Sequence, residues 1–103
     1  MIYEMRTYRM KVHAGPAFLA VYKERGIEII SKYAKLIGCW QPESGELNTV
    51  VFIWAYEDFN HRLAQRKKLW EDKDWLEFVP SIRQHMEHQE SVFMLPAPFS
   101  PLQ

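Results

Sequence analysis

Apolar and polar residues alternate over residues 2–10 of this 103-residue chain, which predicts a β-strand with two different faces. Residues 49–56, Thr-Val-Val-Phe-Ile-Trp-Ala-Tyr, are apolar at almost every position. The strand predicted there therefore has no polar face. A short strand is predicted over residues 39–43, followed by a hairpin loop, and a last strand over residues 87–95.

Apolar residues recur with helical spacing in two regions between these strands. The first region covers residues 17–37, with Gly38 at the position where a helix stop is expected. The second begins at Asp58, which is suited to cap a helix, carries Phe59, Leu63 and Trp70 on one side, and breaks before Asp74. Asp74 opens a capping-box pattern for another helix. Pro80 lies inside that helix, either late in its first turns or at a kink.

The element order β-α-β-β-α-β predicts an α+β, ferredoxin-like fold, in which helices cover one face of an antiparallel four-stranded sheet. We expect a single domain over residues 1–103. The strand over residues 49–56 is nevertheless apolar on both faces, and a monomer rarely exposes so large an apolar surface. We therefore expect a homodimer in which the uncovered sheet faces pack together.

Composition narrows the classes of partner. The chain has 13 basic and 13 acidic residues and no basic run longer than Arg66-Lys67-Lys68, so we expect no nucleic-acid partner. Cys39 is the only cysteine, which excludes an intrachain disulfide. No apolar run reaches the ~20 residues of a membrane helix, and Glu4 and Arg6 make the N-terminal stretch unlike a signal peptide. These features predict a cytoplasmic protein without a membrane partner.

Arginines fall at positions where the predicted elements should be apolar. Arg25 lies within the apolar stripe of the first helical region, Arg66 lies within that of the second, and Arg62 lies at its edge. Arg6 shares a strand face with Glu4. A buried cation needs a counterion or a water-filled space. Either these arginines pair with acidic residues such as Glu4, or Arg62 and Arg66 bind a carboxylate or phosphate in a pocket.

The second interpretation predicts a small-molecule pocket between sheet and helices, lined by aromatic and charged side chains. Its candidate ligand-binding residues are Glu4, Arg6, Tyr8, Trp54, Arg62, Arg66 and Trp70. We expect no metal and no cofactor, because His85 and His88 lack the acidic or cysteine neighbours of a zinc site. No pattern defines a catalytic centre, and phosphate-loop, dinucleotide and Ser-His-Asp signatures are absent from the sequence.

Several segments together resemble the NIPSNAP family. They are YEMRTY at residues 3–8, Gly38-Cys39-Trp40, residues 47–50 (LNTV), and WAYED at residues 54–58 followed by Arg62 and Arg66. The resemblance covers most of the chain and implies a dimeric α/β-barrel. It implies little about chemistry.

The same architecture is similar to that of antibiotic-biosynthesis and haem-degrading monooxygenases, which makes a cofactor-free or haem-related monooxygenase an alternative. The haem-degrading group resembles this chain at Trp70 and His85, but its first strand carries an Asn where this chain has Glu4 and Met5. A non-catalytic interaction module is another alternative. A cavity beside the arginines favours ligand binding, whereas a solid core with paired arginines favours the module.

Overall fold

A four-stranded antiparallel sheet organises the chain, and the computed structural model describes all of residues 1–103. The strands are β1 Ile2–Met10, β2 Lys35–Trp40, β3 Thr49–Tyr56 and β4 Met86–Met94, in the order β2-β3-β1-β4. Central β1 pairs with both β3 and β4. This is the predicted ferredoxin-like plan, which the structure confirms.

Two helical segments cover one face of this sheet. The first consists of α1 Gly15–Val21, a π-helical turn Tyr22–Gly26 and α2 Ile27–Ile30, which follow one another without a break. The second consists of α3 Phe59–Leu69 and α4 Lys73–Arg83. No helix is both long and apolar enough to cross a membrane.

The two faces of the sheet differ in what covers them. Directly opposed residues of antiparallel strands share a face, so Glu4 of β1 lies on the same side as its partner Trp54 of β3. That side faces the helices and holds the core, whose buried members are Met10, Phe18, Tyr22, Ile29, Ile30, Val50, Phe52, Trp54, Tyr56, Leu69, Trp75, Phe78, Val79 and Ile82. No helix covers the other face, which carries Met5 opposite Ile53.

The first helical segment ends earlier than the sequence pattern predicts. The helix stops at Ile30 and not at residue 37, and β2 begins at Lys35 and not at Cys39. Leu36, predicted to lie on the helix, pairs with Trp54 in the sheet. Its apolar side chain suits either element, and the backbone hydrogen bonds of the ladder with β3 decide in favour of the strand.

The π-helical turn explains why Arg25 is not where the periodicity predicts it. The Ile27 N–H donates to the Tyr22 carbonyl, five residues earlier, so the turn holds more residues than an α-helical turn. Every following side chain is rotated relative to a regular helix. As a result Gly26 is buried against the core and Arg25 is exposed to solvent, outside the layer between sheet and helices.

Acidic side chains start both helices of the second segment. Asp58 caps α3 as predicted, since its Oδ1 accepts the His61 N–H at 2.7 Å. The cap of α4 is Asp72 and not Asp74, and it accepts the Asp74 N–H at 2.9 Å. Asp72 also accepts from the Tyr33 hydroxyl at 2.6 Å and from Lys32 Nζ at 2.9 Å. These hydrogen bonds lower the pKa of Asp72 to about 2 and connect the two helical segments.

Pro80 lies in the interior of α4, which continues to Arg83. It is the eighth residue of the helix, after about two turns. The predicted apolar face of this helix is confirmed, because Trp75, Phe78, Val79 and Ile82 are all buried. The next apolar residue of the pattern, Met86, already belongs to β4.

We expect Gly26→Ala to destabilise the protein. An added Cβ would lie 2.5 Å from Phe78 Cζ and 3.0 Å from the Tyr22 ring, and Phe78 is fully buried. Overpacking of this kind costs ~1–3 kcal/mol, against a gain of ~1 kcal/mol in helix propensity. Thermal unfolding followed by circular dichroism should therefore show a lower Tm.

The matched control is Gly15→Ala, because a Cβ at Gly15 meets no atom within 4 Å. This variant should melt at or slightly above the wild-type Tm. Equal melting temperatures for the Gly26 and Gly15 variants would contradict the close packing at the π-helical turn.

Candidate ligand-binding site

Glu4 is the centre of a buried network of hydrogen bonds. Its side chain is fully buried, and Oε2 accepts from Arg6 Nη1 at 2.9 Å, Arg62 Nη2 at 2.9 Å and Ser91 Oγ at 2.6 Å. Its Oε1 accepts from Arg62 Nε at 3.2 Å, so Arg62 contacts both carboxylate oxygens. Burial raises the pKa of Glu4, but the hydrogen bonds from Arg62 and Ser91 outweigh it and leave the pKa below its usual value.

Local structure brings these residues together. Alternation along β1 places Glu4 and Arg6 on the helix side of the sheet, and the register of β4 places Ser91 directly opposite Arg6. Arg62 lies in the first turns of α3, whose start is fixed by the Asp58 cap. The Arg62 guanidinium also lies 4.9 Å above the Phe93 ring, on the same side of β4.

Arg6 has its hydrogen-bonding capacity divided among three partners. Besides the contact with Glu4, its Nε donates to the Tyr8 hydroxyl oxygen at 2.8 Å and its Nη2 donates to Gln89 Oε1 at 2.9 Å. Burial disfavours the cation, but Tyr8 and Glu4 together raise the pKa of Arg6 above its usual value. Arg6 is thus a fixed cation on the central strand.

The face of α3 that packs on the sheet is polar, contrary to the predicted stripe. It consists of Arg62, Gln65, Arg66 and Leu69, at helical spacings of three and four residues, and only Leu69 is fully buried. Phe59 and Leu63, predicted to face the core, are 48% and 49% exposed. The physical reason is Glu4, because a buried carboxylate opposite α3 requires a cation from that helix.

Arg66 differs from the other two arginines because its guanidinium has no hydrogen-bond or ion-pair partner. Glu4, which the sequence suggested as a counterion for the arginines, pairs with Arg62 and Arg6 and not with Arg66. Burial and the positive charge of Arg6 lower the pKa of Arg66. Arg6, Arg62 and Arg66 carry three positive charges against the single negative charge of Glu4, so this side of the sheet has an excess of two.

A pocket of about 460 Å³ lies beside Arg66, between the sheet and the helices. Of the seven predicted ligand-binding residues, it is lined by Arg6, Tyr8, Trp54, Arg66 and Trp70. Glu4 and Arg62 do not line it. Glu4 is fully buried, and its place is in the network that holds Arg6 and Arg62.

Sequence reasoning missed part of the lining. The additional residues are Tyr22, Ile30, Trp75, Val79, Ile82, Arg83, Met86, Glu87, His88 and Gln89. Trp75, Val79 and Ile82 of α4 could have been found, because they share the apolar face that the sequence predicts for that helix, whereas the exposed Arg83 lies outside that pattern. Tyr22 could also have been found, because it lies in the apolar stripe that the sequence predicts for the first helical region.

Two aromatic residues that line the pocket carry hydrogen-bond donors without partners. Trp75 Nε1 has no acceptor in the protein, but the atom has almost no accessible surface and therefore does not face the pocket. Such groups are uncommon in folded proteins and call for an explanation. Tyr22 is another potential donor, because burial raises the pKa of its hydroxyl well above the usual value and keeps it protonated. Groups of three or more His, Cys, Asp or Glu placed to hold a metal ion are not found.

These features define a ferredoxin-like α+β domain with a cationic, aromatic-walled pocket beneath its helices. The NIPSNAP family model matches residues 3–101, and the chain belongs to this family. It is 33% identical to Protein NipSnap homolog 3A of Homo sapiens over 106 residues, which cover 100% of this chain and 42% of that protein. The chain therefore spans less than half the length of this relative.

Solved structures agree with the fold over nearly the whole chain. An uncharacterized NIPSNAP domain protein from Burkholderia xenovorans is 52% identical, with a TM-score of 0.96, over 98% of this chain and 99% of that one. A NIPSNAP family protein with unknown function from Agrobacterium tumefaciens is 43% identical, with a TM-score of 0.97, over 100% of this chain and 94% of that one.

A more distant neighbour extends the fold class to another family. A putative antibiotic biosynthesis monooxygenase from Nitrosomonas europaea has a TM-score of 0.68 at 15% identity, covering 93% of this chain and 98% of that one. At this identity the likeness concerns the fold alone.

Removal of Arg62 should destabilise the protein strongly. Arg62→Met takes one cation from a fully buried carboxylate, a change that costs ~3–5 kcal/mol in other proteins. We expect the lower part of that range, because Arg6 and Ser91 still donate to Glu4. Urea unfolding at neutral pH measures the difference. The difference in unfolding free energy between wild type and variant should narrow as the pH falls below the pKa of Glu4 in the unfolded chain, near 4.5. Protonation of Glu4 removes the charge that the folded state stabilises.

Arg66→Met should leave stability unchanged or raise it, because it removes a partly buried cation that has no counterion. The matched control is Lys68→Met on the same helix, where the side chain is exposed and the expected effect is below ~0.5 kcal/mol. A loss from Arg66→Met as large as that from Arg62→Met would show that Arg66 has a structural counterion.

Proposed function

We propose that this chain binds a small anionic ligand with an aromatic body, and that Arg66 is the cation that contacts the anion. The observation that carries the proposal is the difference between the three arginines. Arg6 and Arg62 are paired with Glu4, whereas Arg66 lines the pocket without a partner. An arginine in this setting is suited to a carboxylate or phosphate, which it can bind with two parallel hydrogen bonds.

The apolar part of the ligand is inferred from the pocket walls. Trp54 is packed in the core, and Trp70 and Trp75 meet edge to face with ring centroids 6.1 Å apart. A volume of about 460 Å³ lies within the usual range for small-molecule sites. It suits one or two fused rings. The exposed residues Arg83, Glu87 and Gln89 surround the opening through which such a ligand would enter.

The presence of a cavity favours ligand binding over a purely structural interaction module. A module of that kind needs only a filled core with paired arginines. Here a pocket opens beside a partly buried arginine that has no partner, and such a cation reduces stability unless an anion binds to it. A protein retains such costs where function requires them.

We further propose that a second copy of the chain covers the outer face of the sheet. This face carries Met5, Val51 and Ile53, all half-buried, with Trp40 52% exposed on the same side of β2 and Val92 46% exposed on β4. Apolar residues thus extend across all four strands. Packing this face on an identical one would remove the apolar surface from water at ~25 cal/mol per Å².

Ligand binding is tested with 1-naphthoate and its neutral isostere 1-naphthamide, by isothermal titration calorimetry. A charge-assisted hydrogen bond to Arg66 is worth ~1.5–3 kcal/mol, so naphthoate should bind at least about tenfold more tightly than the amide. Arg66→Met should abolish this preference, and Lys68→Met should preserve it. Equal affinity of the two compounds for the wild-type protein would reject the proposal.

Dimer formation is tested by light scattering coupled to gel filtration at micromolar concentration. We expect a mass of twice the 12.3 kDa of one chain. Val51→Lys places a charge on the outer sheet face and should shift the mass toward that of a monomer. Leu76→Lys is the control, because Leu76 is an exposed apolar residue on α4, away from that face. A wild-type monomer at this concentration would rule out the interface.

A further inference from the structure

The pocket offers unused donors on opposite walls. Arg66 on α3 has an unpaired guanidinium, and the Tyr8 hydroxyl on β1 makes only one hydrogen bond, in which its oxygen accepts from Arg6 Nε. A hydroxyl group carries one proton to donate, and no group of the protein accepts that of Tyr8.

The Tyr8 hydroxyl is held in place by its surroundings. Its ring packs on Phe52, with centroids 5.7 Å apart and planes at 74°, and on Phe18 at 6.0 Å. Arg6, which donates to its oxygen, is itself fixed by Glu4 and Gln89. A hydrogen bond received from a cation also strengthens the O–H as a donor, because linked hydrogen bonds polarise one another.

Few acceptors are available among the lining residues. The Gln89 carbonyl oxygen is occupied by Arg6, and the Glu87 carboxylate belongs to an exposed residue at the opening. A ligand that brings another N–H or O–H to the Tyr8 wall would have to share the oxygens of Tyr8 and Gln89, which already accept from Arg6. A ligand that brings an acceptor would satisfy a donor that is already oriented.

We infer that the ligand is an aromatic anion with a second, neutral acceptor such as a ketone or ester carbonyl, and that this acceptor receives the Tyr8 hydroxyl proton. The inference rests on the proposed function, since it assumes that Arg66 contacts the anionic group. It adds the requirement that the two ends of the ligand differ. One end is a charged carboxylate or phosphate, and the other is an uncharged carbonyl.

The test uses 3-acetylbenzoate and 4-acetylbenzoate, each paired with its isopropenylbenzoate, in which C=CH₂ replaces C=O at nearly the same shape. Calorimetry should show that the wild-type protein prefers at least one acetyl compound over its hydrocarbon partner by about fivefold or more. Tyr8→Phe should remove this preference, because it deletes only the hydroxyl. Tyr3→Phe, which deletes a hydroxyl on the other face of the sheet and outside the pocket, should retain it.

A separate comparison of benzoate with benzamide tests the anion site at Arg66 independently of the second acceptor at Tyr8. If the wild type prefers benzoate but not the acetyl compounds, the second acceptor is rejected and the anion site stands. If the wild-type protein prefers neither benzoate over benzamide nor the acetyl compounds over their hydrocarbon partners, the anion site and the second acceptor are both rejected. An unchanged acetyl preference in Tyr8→Phe, or an equal loss of that preference in Tyr3→Phe, would overturn the assignment to Tyr8.

An infrared measurement on the wild-type protein needs no variant. The carbonyl stretch of bound ¹³C-labelled acetylbenzoate should lie no higher than in water, because the carbonyl remains hydrogen-bonded. A shift to the higher frequency typical of an apolar solvent would overturn the inference.

Discussion

The buried carboxylate of Glu4 is the constraint on which the arrangement of this protein depends. A charge without solvent contact on the central strand is strongly unfavourable unless cations and hydrogen bonds surround it. The protein supplies Arg6 from the same strand, Arg62 from α3 and Ser91 from β4. One side chain therefore fixes how α3 is turned and how the polar residues of β4 are aligned with β1.

This network has a consequence for the neighbouring pocket. Because α3 must turn Arg62 toward Glu4, it also turns Arg66, one helical turn later, toward the sheet, where no second carboxylate is available. Arg6 adds to the positive potential there, and each of its three guanidinium nitrogens already donates to a protein group. The same interaction that stabilises the fold thus leaves a cation at the edge of an aromatic pocket. The pairing of Arg62 with Glu4 therefore underlies both the fold and the proposed anion site.

The sequence predicted those parts of the structure that depend on short-range pattern. Alternation placed Glu4, Arg6 and Tyr8 on one face of β1, and continuous apolarity identified β3. The sequence pattern could not decide whether Arg62 or Arg66 is the partner of Glu4. They lie on the same side of one helix, and the choice depends on how that helix is placed along the sheet. The π-helical turn was likewise not predictable, since it depends on packing of Gly26 against Phe78.

The most direct measurement of the central claim is a crystal structure of the protein with 1-naphthoate bound. The account predicts the carboxylate within hydrogen-bonding distance of the Arg66 guanidinium, about 2.7–3.2 Å, with the rings against the tryptophans of the pocket. It also predicts that Glu4 retains Arg6 and Arg62. A naphthoate carboxylate bound away from Arg66, or an Arg66 paired with Glu4 in place of Arg62, would contradict it.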